Sequence, residues 1–392
     1  MTGVLDSAPG GALLEAARRI SPWAGELAAQ IEQQRALPPA LLDELIDAGL
    51  FAMCLPRALG GGEAEPAEMV LAIEELARAD AASAWCAMIA STSSLLGAFL
   101  PEPEASEIYA GGSGVCCGVF APRGRAERRD GGYVVSGRWS FVSGVVHSGW
   151  MLGGCVAYDG EQPELLASGN PDVRLVLLPT ARVEVIDTWS VSGLRGTGSH
   201  DVSVSEEFVP QARTVSVLSE SPRHPGALYS FPLFGLLSIG IAAVALGIAR
   251  GAIEDLTALA GAKTPAGSAK ALAQRPVLQS QLAHAEASLR AARALMLEQA
   301  RSAWAVATAR TRIPLEQRLG LRLAASHATE SAAAVVSAMY HAAGGSSIYD
   351  SSPLQRRFRD VHVATQHMMI APPSWELAGR LLLGLPTDTT QL

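Results

Sequence analysis

The stretch GRWSFVSGVVHSGW, residues 137–150, gathers Trp139, Ser143 and His147 in one short segment. It is too polar for a core strand and too aromatic for an ordinary surface loop. A hydroxyl both donates and accepts hydrogen bonds, and an imidazole exchanges protons near neutral pH. Ser143–Gly144 also suits a simple turn, and His147 suits a structural role, orienting that turn through a backbone hydrogen bond. Other residue patterns narrow the chemistry. The five cysteines (Cys54, Cys86, Cys116, Cys117, Cys155) contain no CxxC pair and no histidine at zinc spacing, so they read as reduced thiols packed as small hydrophobes, and no metal site is expected. GGSG at 111–114 lacks the strand-turn-helix context of a dinucleotide loop. Glu254 and Asp255 in GAIEDLTALA are an acidic pair that reads first as a solvated helix face.

The elements that must position these residues change period twice. The chain has 392 residues, 49% of them hydrophobic and 17% charged, with a formal net charge of −8. That composition suits a folded enzyme and gives no broad basic footprint for nucleic acid or an anionic membrane. The N-terminus MTGVLDSAPGG shows no secretory signal, and a cytoplasmic location is expected. The uncharged run at 231–249 is long enough to span a bilayer, but its Ala and Gly content, Pro232 and amphipathic continuation predict a surrounded bundle helix. Residues 1–112 read as an all-α unit, with apolar positions three and four apart in LLEAARRI, AGELAAQIEQQ, PPALLDELIDAGL and AEMVLAIEELARADAASAWCAMIASTSSLLGAFL. Residues 113–214 carry short β-branched runs separated by Gly, Pro or Asp, predicting an antiparallel sheet or small barrel. Residues 225–392 return to helical spacing as four helices near 231–262, 276–306, 314–343 and 353–384, the third ending at Gly344–Gly345. The fold class is α+β, mostly α.

That order, with three motifs, resembles the acyl-CoA dehydrogenase fold and, within it, the two-component flavin-dependent monooxygenases called group D. The motifs are LLDELIDAGLFAMCLPRALGGGEA in the first unit, GVFAPRGRAERRDGGYVVSGRWSFVSG with DTWSVSGLRGTGSHDVSVSEEFVP in the second, and SSIYDSSPLQRRFRDVHVATQH in the third. The resemblance implies an N-terminal helical domain, a middle β-barrel and a C-terminal four-helix bundle.

The resemblance also separates two chemistries. A dehydrogenase of this fold needs a carboxylate to take the α-proton of an acyl thioester. Aligned on Arg359–Asp360, the position where many members carry it holds His367, Met368, Met369 and Ile370. The oxygenase branch instead holds reduced flavin while O2 adds at C4a, and passes one oxygen atom from the hydroperoxide to an electron-rich substrate. The resemblance implies Ser143 as the hydroxyl near flavin N5 and His367 as the imidazole. It implies Trp139 packed on the ring system, backbone groups of Phe120 and Ala121 at its pyrimidine edge, and Arg195 and Thr197 toward flavin or substrate, with a Gly-rich hairpin as the alternative for the last pair. Of Arg356, Arg357 and Arg359, at least one is expected to pair with Asp350 or Asp360. The Phe-Gly that helps hold an FAD pyrophosphate is missing, so reduced FMN or FAD is expected, supplied by a separate NAD(P)H-dependent flavin reductase. Residues 87–99 are expected to wall a pocket for a small aromatic molecule, in a homotetramer. The rival readings are a dehydrogenase-like desaturase with a displaced base and a flavin-binding homologue without catalysis.

Overall fold

A computed structural model describes residues 11–109, 114–309 and 312–392. The N-terminal MTGVLDSAPG, Gly111–Ser113 of the GGSG run and the unit boundary expected near residue 112 lie outside the described residues.

The first helices are α1 (Ala12–Gln34), α2 (Pro39–Asp47), α3 (Pro66–Ala79), α4 (Ala81–Ser94) and α5 (Glu102–Tyr109). In α1 the buried Ala17, Ile20, Ala24, Ala28 and Ile31 recur at helical spacing. LLEAARRI and AGELAAQIEQQ form one helix across Pro22. Between α3 and α4 the chain extends at Asp80 (φ −142°), whose Oδ2 accepts from the Ser83 N–H and the Ser83 hydroxyl, both at 2.7 Å. This N-cap fixes where α4 begins, and so where Trp85 and Cys86 point.

The middle strands are β1 (Cys116–Arg129), β2 (Gly132–Trp139), β3 (Trp150–Asp159), β4 (Gln162–Pro163), β5 (Val173–Pro179), β6 (Glu184–Ile186), β7 (Asp201–Pro210) and β8 (Thr214–Val215). They form one sheet in the order β6-β7-β2-β1-β3-β5-β8, with β4 on β3. The antiparallel expectation fails at one place: β1 and β3 run parallel, from Cys116 opposite Trp150 to Glu127 opposite Tyr158. The hairpin puts β2 on one flank of β1, and residues 140–149 carry the chain to the other flank, where β3 starts at the end at which β2 stops. Ser143 lies in that crossing segment. The sheet curls: Cys117, Ala126, Tyr133, Trp139, Met151 and Val202, drawn from β1, β2, β3 and β7, share one buried cluster.

The C-terminal helices are α6 (Leu233–Ala262), α7 (Pro276–Thr308), α8 (Leu315–Ala343), α9 (Pro353–Ala364) and α10 (Pro373–Leu382). The uncharged run lies in α6, buried on nearly every side from Gly235 to Ala249. Gly344, at φ +60°, ends α8. The single helix expected over 353–384 is two, parted by a turn at 365–372. After Ala364 the bonds tighten to i−3, Gln366 N–H to Val363 O at 3.1 Å and His367 N–H to Ala364 O at 3.2 Å. The turn closes through Ile370 N–H and Ala371 N–H to His367 O, both at 3.0 Å, and Pro373 opens α10. His367 therefore sits on a turn. One core cluster includes Ile20, Leu76, Leu246, Val336 and Val361, so both sets of helices pack on each other and support the curled sheet from the side where Ser143 crosses.

Candidate active site

Ser143 is held at the centre of a chain of hydroxyls. Gly144, at φ +78°, turns the crossing segment, and its N–H donates to Thr197 O at 2.8 Å while Val142 N–H donates to His200 O at 3.1 Å. These bonds lay the segment against residues 197–200. Trp85 Nε1–H donates to Ser143 Oγ at 3.0 Å, Ser143 and Ser199 share a 2.7 Å bond, Ser199 and Thr197 share one at 2.6 Å, and Thr197 Oγ1–H donates to Leu194 O at 2.8 Å. A hydroxyl has a single proton. Since Thr197 gives its proton to Leu194, Ser199 must donate to Thr197 and Ser143 to Ser199. Ser143 is then left with one lone pair, because Trp85 occupies the other. Its remaining capacity is as an acceptor, and each bond in the chain polarises the next.

His367 reaches the same place from the α9–α10 turn. Its ring centroid lies 5.9 Å from that of Trp85 at an interplanar angle of 60°. Nδ1 accepts from Met369 N–H at 3.2 Å, so the proton of the neutral ring is on Nε2. Burial, and then the charge of Arg322, push its pKa down to about 4. The expectation of an imidazole titrating near neutrality is corrected accordingly: without a ligand His367 is a neutral Nε2–H donor. His147 has the backbone role expected of it, Nε2 accepting from Leu37 N–H at 2.8 Å. Its Nδ1 is buried without a partner among the described residues, and burial lowers its pKa to about 4. His147, Ser143, Ser148, Cys86, Ala90 and Cys117 border a narrow cleft. Ala90 is the member of the expected 87–99 wall found there.

The turn Arg195–Thr197 is pinned from the other side. Leu194, at φ +50°, gives its N–H to Asp360 Oδ1 at 2.6 Å. Burial raises the Asp360 carboxyl to about 7. A side chain at Gly196 would strike Ile31 of α1, so the turn is wedged against the N-terminal helices. Arg195 leaves its Nε buried and unpartnered among the described residues. The expected ion pairs of Arg356, Arg357 or Arg359 with Asp350 or Asp360 are not formed. Arg357 pairs with Asp255 of α6 and Arg359 with Glu32 of α1, while α9 itself packs on α6 and α8. Glu254 pairs with Arg78 at 3.1 Å. Both members of the acidic pair are thus engaged by guanidinium groups.

Trp139 requires the clearest correction. It is 0% exposed, turned into the curled sheet, with Nε1–H donating to Gly154 O at 2.8 Å. Gly124, Gly137 and Gly153 surround it, and a Cβ on any of them would come within 3.0 Å of the indole. It has no face to offer a ligand. The aromatic presented outward beside Ser143 is Phe141, 70% exposed at φ +66°, with its ring edge-on to Trp189 at 6.2 Å. A phenylalanine held in that backbone region is strained, and such strain gathers at functional sites. Phe120 and Ala121 fall in a register shift between Val119 opposite Gly153 and Pro122 opposite Gly154. Bulged residues leave the ladder, which frees their backbone groups. No hydrogen bond among the described residues joins them to the hydroxyl chain. The fold brings Ser143, Thr197 and His367 into one neighbourhood together with Trp85, Ser199 and Phe141, which the sequence reading did not single out.

The chain matches the family models described as acyl-CoA dehydrogenase, N-terminal domain, over residues 13–100, and acyl-CoA dehydrogenase, C-terminal domain, over residues 239–372. It is 31% identical to an indole-3-acetate monooxygenase of Pseudomonas putida, over 91% of this chain and 89% of that one. It is 30% identical to the oxygenase component of an FADH2-dependent resorcinol hydroxylase of a Rhizobium species, over 91% and 89%. The crystal structure of a 3-HSA hydroxylase from a Rhodococcus species superposes with a TM-score of 0.89 at 25% identity, covering 98% of this chain and all of that one. The chain belongs to the flavin-dependent monooxygenases built on the acyl-CoA dehydrogenase fold, as an oxygenase component.

Proposed function

We propose that this oxygenase component binds reduced FMN or FADH2 with the flavin ring against Phe141 and its N5 edge at Ser143, and hydroxylates a small aromatic molecule there. The observation that carries the site assignment is the directed hydroxyl chain, which leaves Ser143 one acceptor lone pair beside an exposed aromatic ring. Reduced flavin supplies, with O2, the electrons and the oxygen atom that the protein's own side chains lack.

The residues fit that group. Ser143 accepts a hydrogen bond from an N–H at the flavin edge, as its proton is committed to Ser199. The unpartnered Arg195 Nε and the backbone at the Phe120–Ala121 bulge are the groups assigned to the polar ring edges. His367, half-buried, offers a neutral Nε2–H and can steady a developing negative charge on oxygen by donating to it. The buried Trp85 ring and the half-buried His367 ring limit water at the reacting face. The dehydrogenase alternative is disfavoured at both places considered for its base: His367 and Met368 stand where many dehydrogenases carry a carboxylate, and Glu254 and Asp255 are already paired.

The relatives' names, which include indole-3-acetate and resorcinol, support an aromatic substrate. An oxygenase component calls for a separate NAD(P)H-dependent flavin reductase. Five buried free thiols suit a reducing cytoplasm, and the apolar helices suit a homotetramer. An anaerobic titration with reduced FMN and FADH2, followed by tryptophan fluorescence, tests the reading. Saturable binding of at least one reduced flavin is expected. Failure of both to bind, or tightly held oxidised FAD bleached by an acyl-CoA, would favour the desaturase.

A further inference from the structure

Several partly buried arginines in this chain pair with carboxylates. Arg174 pairs with Asp172 at 3.0 Å, Arg293 with Glu74 at 2.7 Å, and Arg357 with Asp255. This is the usual outcome where an unpaired buried charge carries a desolvation penalty. Arg322 on α8 departs from it. It is 4% exposed, no carboxylate lies within 4.0 Å among the described residues, and its Nε has no partner. Its Nη2 reaches only the thioether of Met369, at 3.5 Å, and the main-chain oxygen of Gln391. One turn earlier, Arg318 also lacks a carboxylate, has a buried unpartnered Nε, and donates to Thr389 O at 3.3 Å. One turn later, the Ser326 hydroxyl is buried and unpartnered among the described residues. Positions 318, 322 and 326 share one face of α8. Met369, which Arg322 touches, is two residues from His367.

We propose that Arg322 is the anion subsite of this active site, holding a carboxylate carried by the aromatic substrate, with Arg318 adding to the positive field. The Nε–H and Nη2–H of a guanidinium form one edge that matches a carboxylate with two parallel hydrogen bonds. On Arg322 that edge has one donor free and the other given to a neutral carbonyl and a sulfur. The carbonyl of Gln391 stands where a carboxylate oxygen would accept. The proposal rests on the oxygenase reading in placing the substrate beside His367, and it narrows the substrate class to aromatic acids.

The test is isothermal titration of the full-length chain, alone and anaerobically with reduced FMN, using phenylacetate and its neutral match phenylacetamide. The wild type should prefer phenylacetate at least ~10-fold, the range of a hydrogen bond to a charged group. Arg322→Gln should erase the preference and Arg322→Lys restore part of it, with reduced-FMN affinity equal in all three. Arg318→Gln, at a less buried site, should weaken phenylacetate about threefold and serves if Arg322→Gln does not fold. No preference for the anion in the wild type would overturn the proposal, as would a preference that survives Arg322→Gln. A loss of reduced-FMN affinity in Arg322→Gln with the preference intact would assign the guanidinium to a flavin phosphate and also overturn it. Failure of reduced FMN to bind, with phenylacetate still preferred, would count against the flavin reading alone.

Discussion

Trp85 Nε1–H donates to the Ser143 hydroxyl at 3.0 Å across 58 residues of sequence, and the same indole lies 5.9 Å from the His367 ring. One side chain of α4 thus joins the two groups to which oxygen transfer is assigned. Trp85→Phe keeps an aromatic ring and removes the N–H. It should cost about 1 kcal/mol of stability and lower the fraction of reduced flavin oxidised productively, with more H2O2 released. Unchanged coupling would mean that the bond only packs α4 against the sheet.

Trp139 and Phe141 should behave oppositely. Trp139→Phe opens space among Gly124, Gly137 and Gly153 and leaves Gly154 O without its donor, so it should cost roughly 2–3 kcal/mol by thermal or urea unfolding and leave reduced-flavin affinity intact. Phe141→Ala removes an exposed ring from a strained residue, so stability should stay within ~0.5 kcal/mol while reduced-flavin affinity falls about tenfold, the order of one aromatic stacking contact. The reverse pattern would return Trp139 to the flavin wall.

The buried titratable groups give pH effects of opposite sign. His147 and His367 are held at about 4, against an ordinary value of 6.5. The unfolded chain takes up protons as pH falls through 6.5 while the folded chain does not until about 4, so their contribution to stability is lost across that window. His147→Gln should flatten the dependence between pH 7 and 4.5. Asp360 is raised from 3.8 to about 7, so the folded chain keeps its proton longer and the contribution is lost as pH rises from 3.8 through 7. Asp360→Asn keeps an acceptor for Leu194 N–H without the titration. Its stability relative to wild type should improve from pH 4 to pH 8, read by urea midpoints at each pH. An advantage that shrinks with rising pH would contradict the assignment.

Much of the architecture is written locally. Helical spacing, the glycine at 344 and the β-branched runs of the middle segment all depend on near neighbours in sequence. The break before α10 was also visible in Pro372–Pro373, but the apolar spacing on both sides favoured one long helix. The parallel pairing of β1 with β3 is a long-range matter that strand composition does not encode. Trp139 misled because both it and Phe141 are aromatic beside Ser143. What separates them is that β2 ends at Trp139 and the left-handed conformation at Phe141 turns the next aromatic outward. Trp85 and Ser199 carried no local signal: a tryptophan in an apolar helix reads as core, and the partners that give these two meaning are distant in sequence. Arg322 was equally silent, since an arginine in a helix is ordinarily solvated.

In the proposed site Ser143 and His367 have one shared role, to direct reduced flavin and O2 toward oxygen transfer. It is tested most directly by single-turnover mixing of protein with reduced flavin bound against oxygenated buffer containing an aromatic substrate, counting hydroxylated product and H2O2 per flavin oxidised. Ser143→Ala and His367→Ala should retain the wild-type circular dichroism spectrum and consume O2, with the product fraction reduced ~10-fold or more and H2O2 rising to match. Two folded variants that both keep wild-type coupling would contradict the account.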